Sequence, residues 1–216
     1  MRIDIPYAIA QFDLASKEQG TNIYATAQQI ANAHKLFSFA TAREYSKFMS
    51  CLSKLSLPSS LSLDVMECEE IGTGDVSQLY VTGEFEDLRI FDHINVEDSL
   101  DGAWQAFLLR KVWHLLPFFW HGGYSRRYYI FSHEDIPSIE LWHDDDRSIL
   151  NKIYNVDVTP KIAKQEGKYY ISCCYWTNWG GLKRELVVIT LSQGKATEFL
   201  DAEDATLIKF DCGVCY

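Results

Sequence analysis

Proline and glycine are scarce, 5 and 12 in 216 residues. A chain so poor in both has little room for long structureless linkers. Bases are also few, 20 Lys and Arg against 30 acids, for a formal net charge of −10. That balance disfavours general binding to nucleic acid or to an anionic membrane surface, because both recruit clustered cations. The familiar catalytic and nucleotide signatures are missing: Walker A, GxGxxG, GxSxG, HExxH and the EF-hand loop. These absences leave a chain that is 47% hydrophobic. A basic or hydrophobic partner, or a metal, suits it better than a polyanion does.

The first fifteen residues, MRIDIPYAIAQFDLA, hold one Arg, and Asp4, Pro6 and Asp13 interrupt any apolar core. No export signal is expected from such a start, and a cytoplasmic location is. The six cysteines (Cys51, Cys68, Cys173, Cys174, Cys212 and Cys215) are then expected to be reduced. Length favours one globular domain over 1–216, with an N-terminal helical subregion over 1–60.

The richest stretch is AWQAFLLRKVWHLLPFFWHGGYSRRYYIFS, residues 103–132. Leu100, Ala103, Trp104, Phe107, Leu108, Val112 and Leu115 recur at helical spacing. Leu109, Trp113 and Leu116 widen the stripe, so the spacing predicts a buried helix over 100–116 with a wet edge at Gln105, Arg110 and Lys111. It is too short and too charged to cross a bilayer. Asn95 or Asp98 would cap it, and Pro117 would end it. The run 126–131 reads as a strand covered on both faces.

Residues 3–14 read as extended, 22–37 as a helix, and Thr41 to Leu55 as a second helix opened by the capping box Thr41–Glu44. Short β-prone pieces follow at Leu63–Met66, Gln78–Thr82 and Leu88–Phe91. The acidic stretch 133–147 reads as a loop, followed by a short helix at Arg147–Ile153. After it comes an antiparallel meander: alternation at Tyr154, Val156 and Val158, then strands at Tyr169–Trp176, Glu185–Leu191, Lys195–Leu200 and Ala205–Phe210. Turns are predicted at Glu166-Gly167 and Gln193-Gly194. The fold class expected is α+β: N-terminal helices and a buried central helix packed on a mostly antiparallel sheet, with a C-terminal β-meander.

Two aromatic, glycine-rich stretches are candidate binding loops. One is Trp120, His121, Gly122, Gly123 and Tyr124, followed by Arg126 and Arg127. The other is Trp176, Trp179, Gly180 and Gly181, followed by Lys183 and Arg184. Converged, they would form an aromatic pocket with a cationic rim for an anionic group. The plainer reading is that the rings pad the core and the glycines turn the chain.

His133, Asp135, His143 and Asp145 carry ligand types suited to a divalent metal. Such acids also serve as helix caps and solvated loop. No cofactor is expected, and a divalent metal stands as an alternative. Cys212 and Cys215 form a CxxC, for which free thiols are the plainer reading. Among His34, His93, His114, His121, His133 and His143 no nucleophile partner can be read from spacing.

The leading expectation is therefore a cytosolic acidic protein that works without catalysis, as an immunity or inhibitor protein does, against a basic protein partner. Neither nucleic acid nor membrane is expected as a partner. The alternatives are a small-molecule binder or hydrolase using the aromatic loops, with His121 or His143 as base, and a metal-dependent enzyme.

Overall fold

In the computed structural model, which describes residues 52–70, 74–111, 127–141, 144–202 and 204–213 (backbone alone for 65–70, 74–79 and 144–146), the closing meander is organised by its turns. Glu166 and Gly167 have φ of 51° and 75°, and Gln193 and Gly194 have 51° and 73°. Two successive positive φ values match the right-handed twist of paired strands, which fixes tight hairpins at both places. They join β6 (Lys161–Gln165) to β7 (Lys168–Thr177), and β8 (Gly181–Ser192) to β9 (Lys195–Asp201). The two long strands pair in continuous antiparallel register from Lys168↔Thr190 to Thr177↔Gly181. Each carries two short strands on its outer edge. β7 takes β6 and β5 (Tyr128–Ile130), and β8 takes β9 and β10 (Ala205–Ile208).

Side chains alternate across this sheet. Tyr169, Ile171, Cys173, Tyr175, Val187 and Ile189 join one core cluster, which α2 (Leu100–Lys111) also enters through Ala103, Trp104, Phe107 and Leu109. Cys174, Trp176 and Leu182 join a second cluster on the other face, with Ile136, Ile139, Leu150 and Ile153. Ile136 comes from the 3-10 helix His133–Ser138, Ile139 is that helix's C-cap, and Leu150 and Ile153 come from the 3-10 helix Asp144–Asn155. The molecule is thus α+β, with the central helix buried on one face of an antiparallel sheet. Trp104 stacks on Phe107 with ring centroids 5.3 Å apart, and each side chain so buried contributes roughly 1.5–3 kcal/mol.

Ahead of α2 lie β1 (Leu55–Ser56), β2 (Leu61–Glu70), β3 (Gly74–Gly83), the helical turn α1 (Ile90–His93) and β4 (Asn95–Val96). β2 and β3 pair with each other as a two-stranded ribbon, and its Leu63 and Val81 are part of the helix-side core. Among the described residues no helix is long and apolar enough to cross a membrane.

Several local expectations change. Gln105 and Lys111 are not a wet edge: both are buried, and Gln105 Oε1 accepts the Lys54 amide at 2.7 Å. Ser99 caps α2, its Oγ accepting the Gly102 amide at 3.0 Å, while Asp98 is occupied by Tyr169 and Lys164. Leu55 leaves the expected helix to pair with Val96. Leu88–Phe91 is not a strand, because α1 begins at Ile90. Residues 133–138 form a helix instead of a loop: Ser132 Oγ accepts the Glu134 amide at 3.2 Å and Asp135 accepts the Ser132 amide at 2.9 Å. Tyr154 is exposed in the last turn of the second 3-10 helix, and Val156 and Val158 follow it outside any strand, packed on the second cluster. The readings on 3–14, 22–37 and 41–51, and the helix beyond Lys111, lie outside the described residues.

Candidate functional site

The β2–β3 ribbon carries the largest net negative charge of the described elements by sequence. Residues 61–83 hold Asp64, Glu67, Glu69, Glu70 and Asp75 and no Lys or Arg. Its two strands pair over ten residues, Leu61↔Gly83 to Glu70↔Gly74, so the ribbon is about 34 Å long at ~3.4 Å per residue. The register places Leu63, Val65, Glu67 and Glu69 on one face with Val81, Leu79, Ser77 and Asp75. The face that is apolar at the core end is therefore acidic at the turn end.

At the ribbon base Asp87 accepts from the Arg89 amide at 2.9 Å and faces His93 Nε2 at 2.9 Å. The His93 hydrogen bond, then the Arg89 amide, hold the Asp87 carboxyl well below its usual range. A carboxylate on an imidazole is the orienting half of a hydrolytic triad. Among the described residues no nucleophile meets the other ring nitrogen, and the Phe85 ring packs against that ring at a tilt, with centroids 4.9 Å apart.

A second polar centre lies under α2. Lys111 Nζ is 2.9 Å from Glu185 Oε2, and Arg127 reaches the same oxygen at 3.1 Å. The Lys111 and Glu185 side chains are only 7% and 3% exposed. Lys111 also lies 3.4 Å from Asp201, which Arg110 holds through two hydrogen bonds at 2.6 and 3.0 Å. Burial pushes the Glu185 carboxyl up, against the opposing pull of Lys111 and Arg127. Its Oε1 and the Tyr129 hydroxyl are buried without a hydrogen-bond partner among the described residues. Cys173 pairs with Glu185 in register, and burial raises its thiol well above the ordinary value. A protonated, enclosed thiol is a poor nucleophile. The centre ties the end of α2 to β5, β8 and β9.

The aromatic candidates separate. Trp176 is fully buried on the face away from α2, against Phe210 at 5.1 Å, and its Nε1 donates to Asn178 at 3.3 Å. Trp179 at the turn is 37% exposed. Asn178 pins that turn, donating to Glu140 O at 3.1 Å and accepting the Cys212 amide on its own carbonyl at 2.9 Å. Gly181 has φ of +74°, and a Cβ there would stand 2.1 Å from Ile208 O. The glycine therefore admits β10. At Gly180 a Cβ would meet the Lys183 side chain. Arg127 lies over the Tyr175 ring at 4.4 Å on the helix side, whereas Arg184 donates to Asp157 O and to Cys174 Sγ on the other side. Trp120, His121, Gly122, Gly123, Tyr124 and Arg126 lie outside the described residues.

Of the metal candidates, His133 meets Val156 O at 2.9 Å, and Asp135 accepts the Phe131 and Ser132 amides at 2.8 and 2.9 Å. His143 and the Asp145 side chain are outside the described residues. Sequence reasoning missed the Asp87–His93 pair and the Lys111–Glu185 centre. A Ser-x-x-Asp signal at Ser132–Asp135 could have revealed the first 3-10 helix. No family model, no curated protein and no solved structure matches the chain.

Proposed function

We propose that this chain is a non-catalytic interaction module of the cytoplasm that takes up a basic protein partner on the β2–β3 ribbon, as an inhibitor or immunity protein would. The observation that carries the reading is the ribbon itself: five acids and no base on an element paired over ten residues. Five bases elsewhere are engaged with acids, in Lys54–Glu97, Arg89–Asp87, Arg110–Asp201, Lys111–Glu185 and Lys164–Asp98. The ribbon's net negative charge suits a basic surface, because complementary charge accelerates encounter. The small-molecule reading draws less support, because Trp176 and Gly181 are used by the chain's own packing.

The test is affinity capture from the host lysate with the wild type and with a Glu67→Lys/Glu69→Lys/Asp75→Lys variant, followed by titration of the purified captured protein against both. A basic protein whose affinity falls about tenfold or more on charge reversal is the expected result. An acidic captured protein, or equal affinity for the two forms, overturns the reading.

A further inference from the structure

The backbone of the ribbon says how a partner could dock on it. Val81 exchanges both of its backbone hydrogen bonds with Asp87, N to O at 2.8 Å and the reverse at 3.0 Å. Its amide and carbonyl therefore face away from β2. In an antiparallel ladder the directly opposite residue then also turns its own amide and carbonyl outward. That residue is Leu63. Leu61, two residues earlier, agrees in phase: its amide donates outward to Pro58 O at 2.9 Å. Carried along β2 with a period of two, the outward set is Leu63, Val65, Glu67 and Glu69. Among the described residues no strand pairs with that edge.

These four residues also share one face of the ribbon. A strand laid along the edge would set its own alternate residues directly across from them on that same face. Apolar groups would stand opposite Leu63 and Val65, and cations opposite Glu67 and Glu69. A second copy of this chain is a poor occupant, because its matching edge brings more carboxylates and no base.

Building on the reading of the ribbon as the partner surface, we propose that the edge of β2 receives an extended basic segment of the partner as a third strand. The segment carries Lys or Arg at two alternate positions and apolar residues at the next two alternate positions. Backbone hydrogen bonds would supply affinity and the alternate side chains selectivity, as in other strand-addition complexes.

The experiment uses the full chain and three synthetic peptides. Two alternate in opposite chain directions, Lys-Thr-Arg-Thr-Val-Thr-Val and its reverse. The third is the block control Lys-Arg-Thr-Thr-Thr-Val-Val, with the same composition and charge. One alternating peptide is expected to bind about tenfold or more tightly than the control. Bound peptide should slow hydrogen exchange at the amides of Leu63, Val65, Glu67 and Glu69 about tenfold, leaving those of Ser62, Asp64, Met66 and Cys68, already bonded to β3, unchanged. Val65→Pro removes one outward amide without touching the ladder to β3, so it should keep the fold and lose the peptide. Equal binding of all three peptides without protection of these amides, protection of the other set, or no binding of either alternating peptide overturns strand addition. The partner reading itself stands or falls separately, on the charge-reversal titration of the captured protein.

Discussion

Lys111 stands in the last turn of α2, where a cation suits the negative end of the helix, yet its ammonium is enclosed against Glu185. Burial raises the Glu185 carboxyl above its ordinary value of 4.5. A raised folded-state pKa means that this group's contribution to stability is complete below its unfolded value and declines as pH rises through the folded one. Removing the lysine leaves a buried carboxylate with Arg127 as its remaining close cation. Lys111→Met should therefore cost about 3 kcal/mol at about pH 8. Loss of the cation raises the carboxyl further, so the cost should be smaller at about pH 5, by about 1 kcal/mol or more. Adding Glu185→Gln should recover most of the loss at the higher pH. Urea denaturation of the three forms at the two pH values checks this. A loss that is equal at both, or a double variant no better than the single one, contradicts it. The pair was not legible in the sequence, because 74 positions separate its members and Lys111 beside Arg110 looks like a solvated helix edge. Only the strand register brings Glu185 beneath the helix.

At the scale of elements, the meander was readable because its punctuation is local. Glu166-Gly167 and Gln193-Gly194 specify turns without reference to the rest of the chain. α2 was readable because Trp104, Phe107 and Leu109 leave it no solvent face. The first 3-10 helix was less so: acids at 133–147 suggest a loop until Ser132 and Asp135 are seen to cap a helix start, whereas the expected short helix at Arg147–Ile153 lies within the second. The diglycine after Trp179 admits two readings in the sequence, a binding loop or a plain turn, and the two glycines separate on physical grounds. At Gly181 a Cβ would meet backbone, 2.1 Å from Ile208 O and 2.7 Å from Phe210 N, at a φ of +74°. Gly181→Ala should cost about 2 kcal/mol, lowering Tm by about 4–8 °C. At Gly180 the nearest atom is Lys183 Cε, the far end of a flexible side chain, so Gly180→Ala should cost less than about 1 kcal/mol. Thermal melts of the two variants decide it, and equal shifts would contradict the assignment of Gly181 to β10 packing.

For the whole molecule, the net charge of −10 pointed to a basic partner but not to a place for it. In the proposed reading the ribbon is that place. It was hidden in the sequence because Glu67, Glu69 and Glu70 make the outer half of β2 too polar to look like a strand, so that only its apolar base, Leu63 to Met66, stood out. Pairing with β3 carries the strand on to Glu70. Charge on one unshared element has a kinetic signature, because steering acts before contact and is screened by salt. The most direct measurement is the stopped-flow association rate of the captured basic partner at about 0.05 M and 0.5 M salt. For the wild type the rate should fall about tenfold or more across that range, and for the Glu67→Lys/Glu69→Lys/Asp75→Lys variant it should be slow at both. A wild-type rate indifferent to salt, or one unchanged by the charge reversal, would contradict the ribbon as the site of recognition.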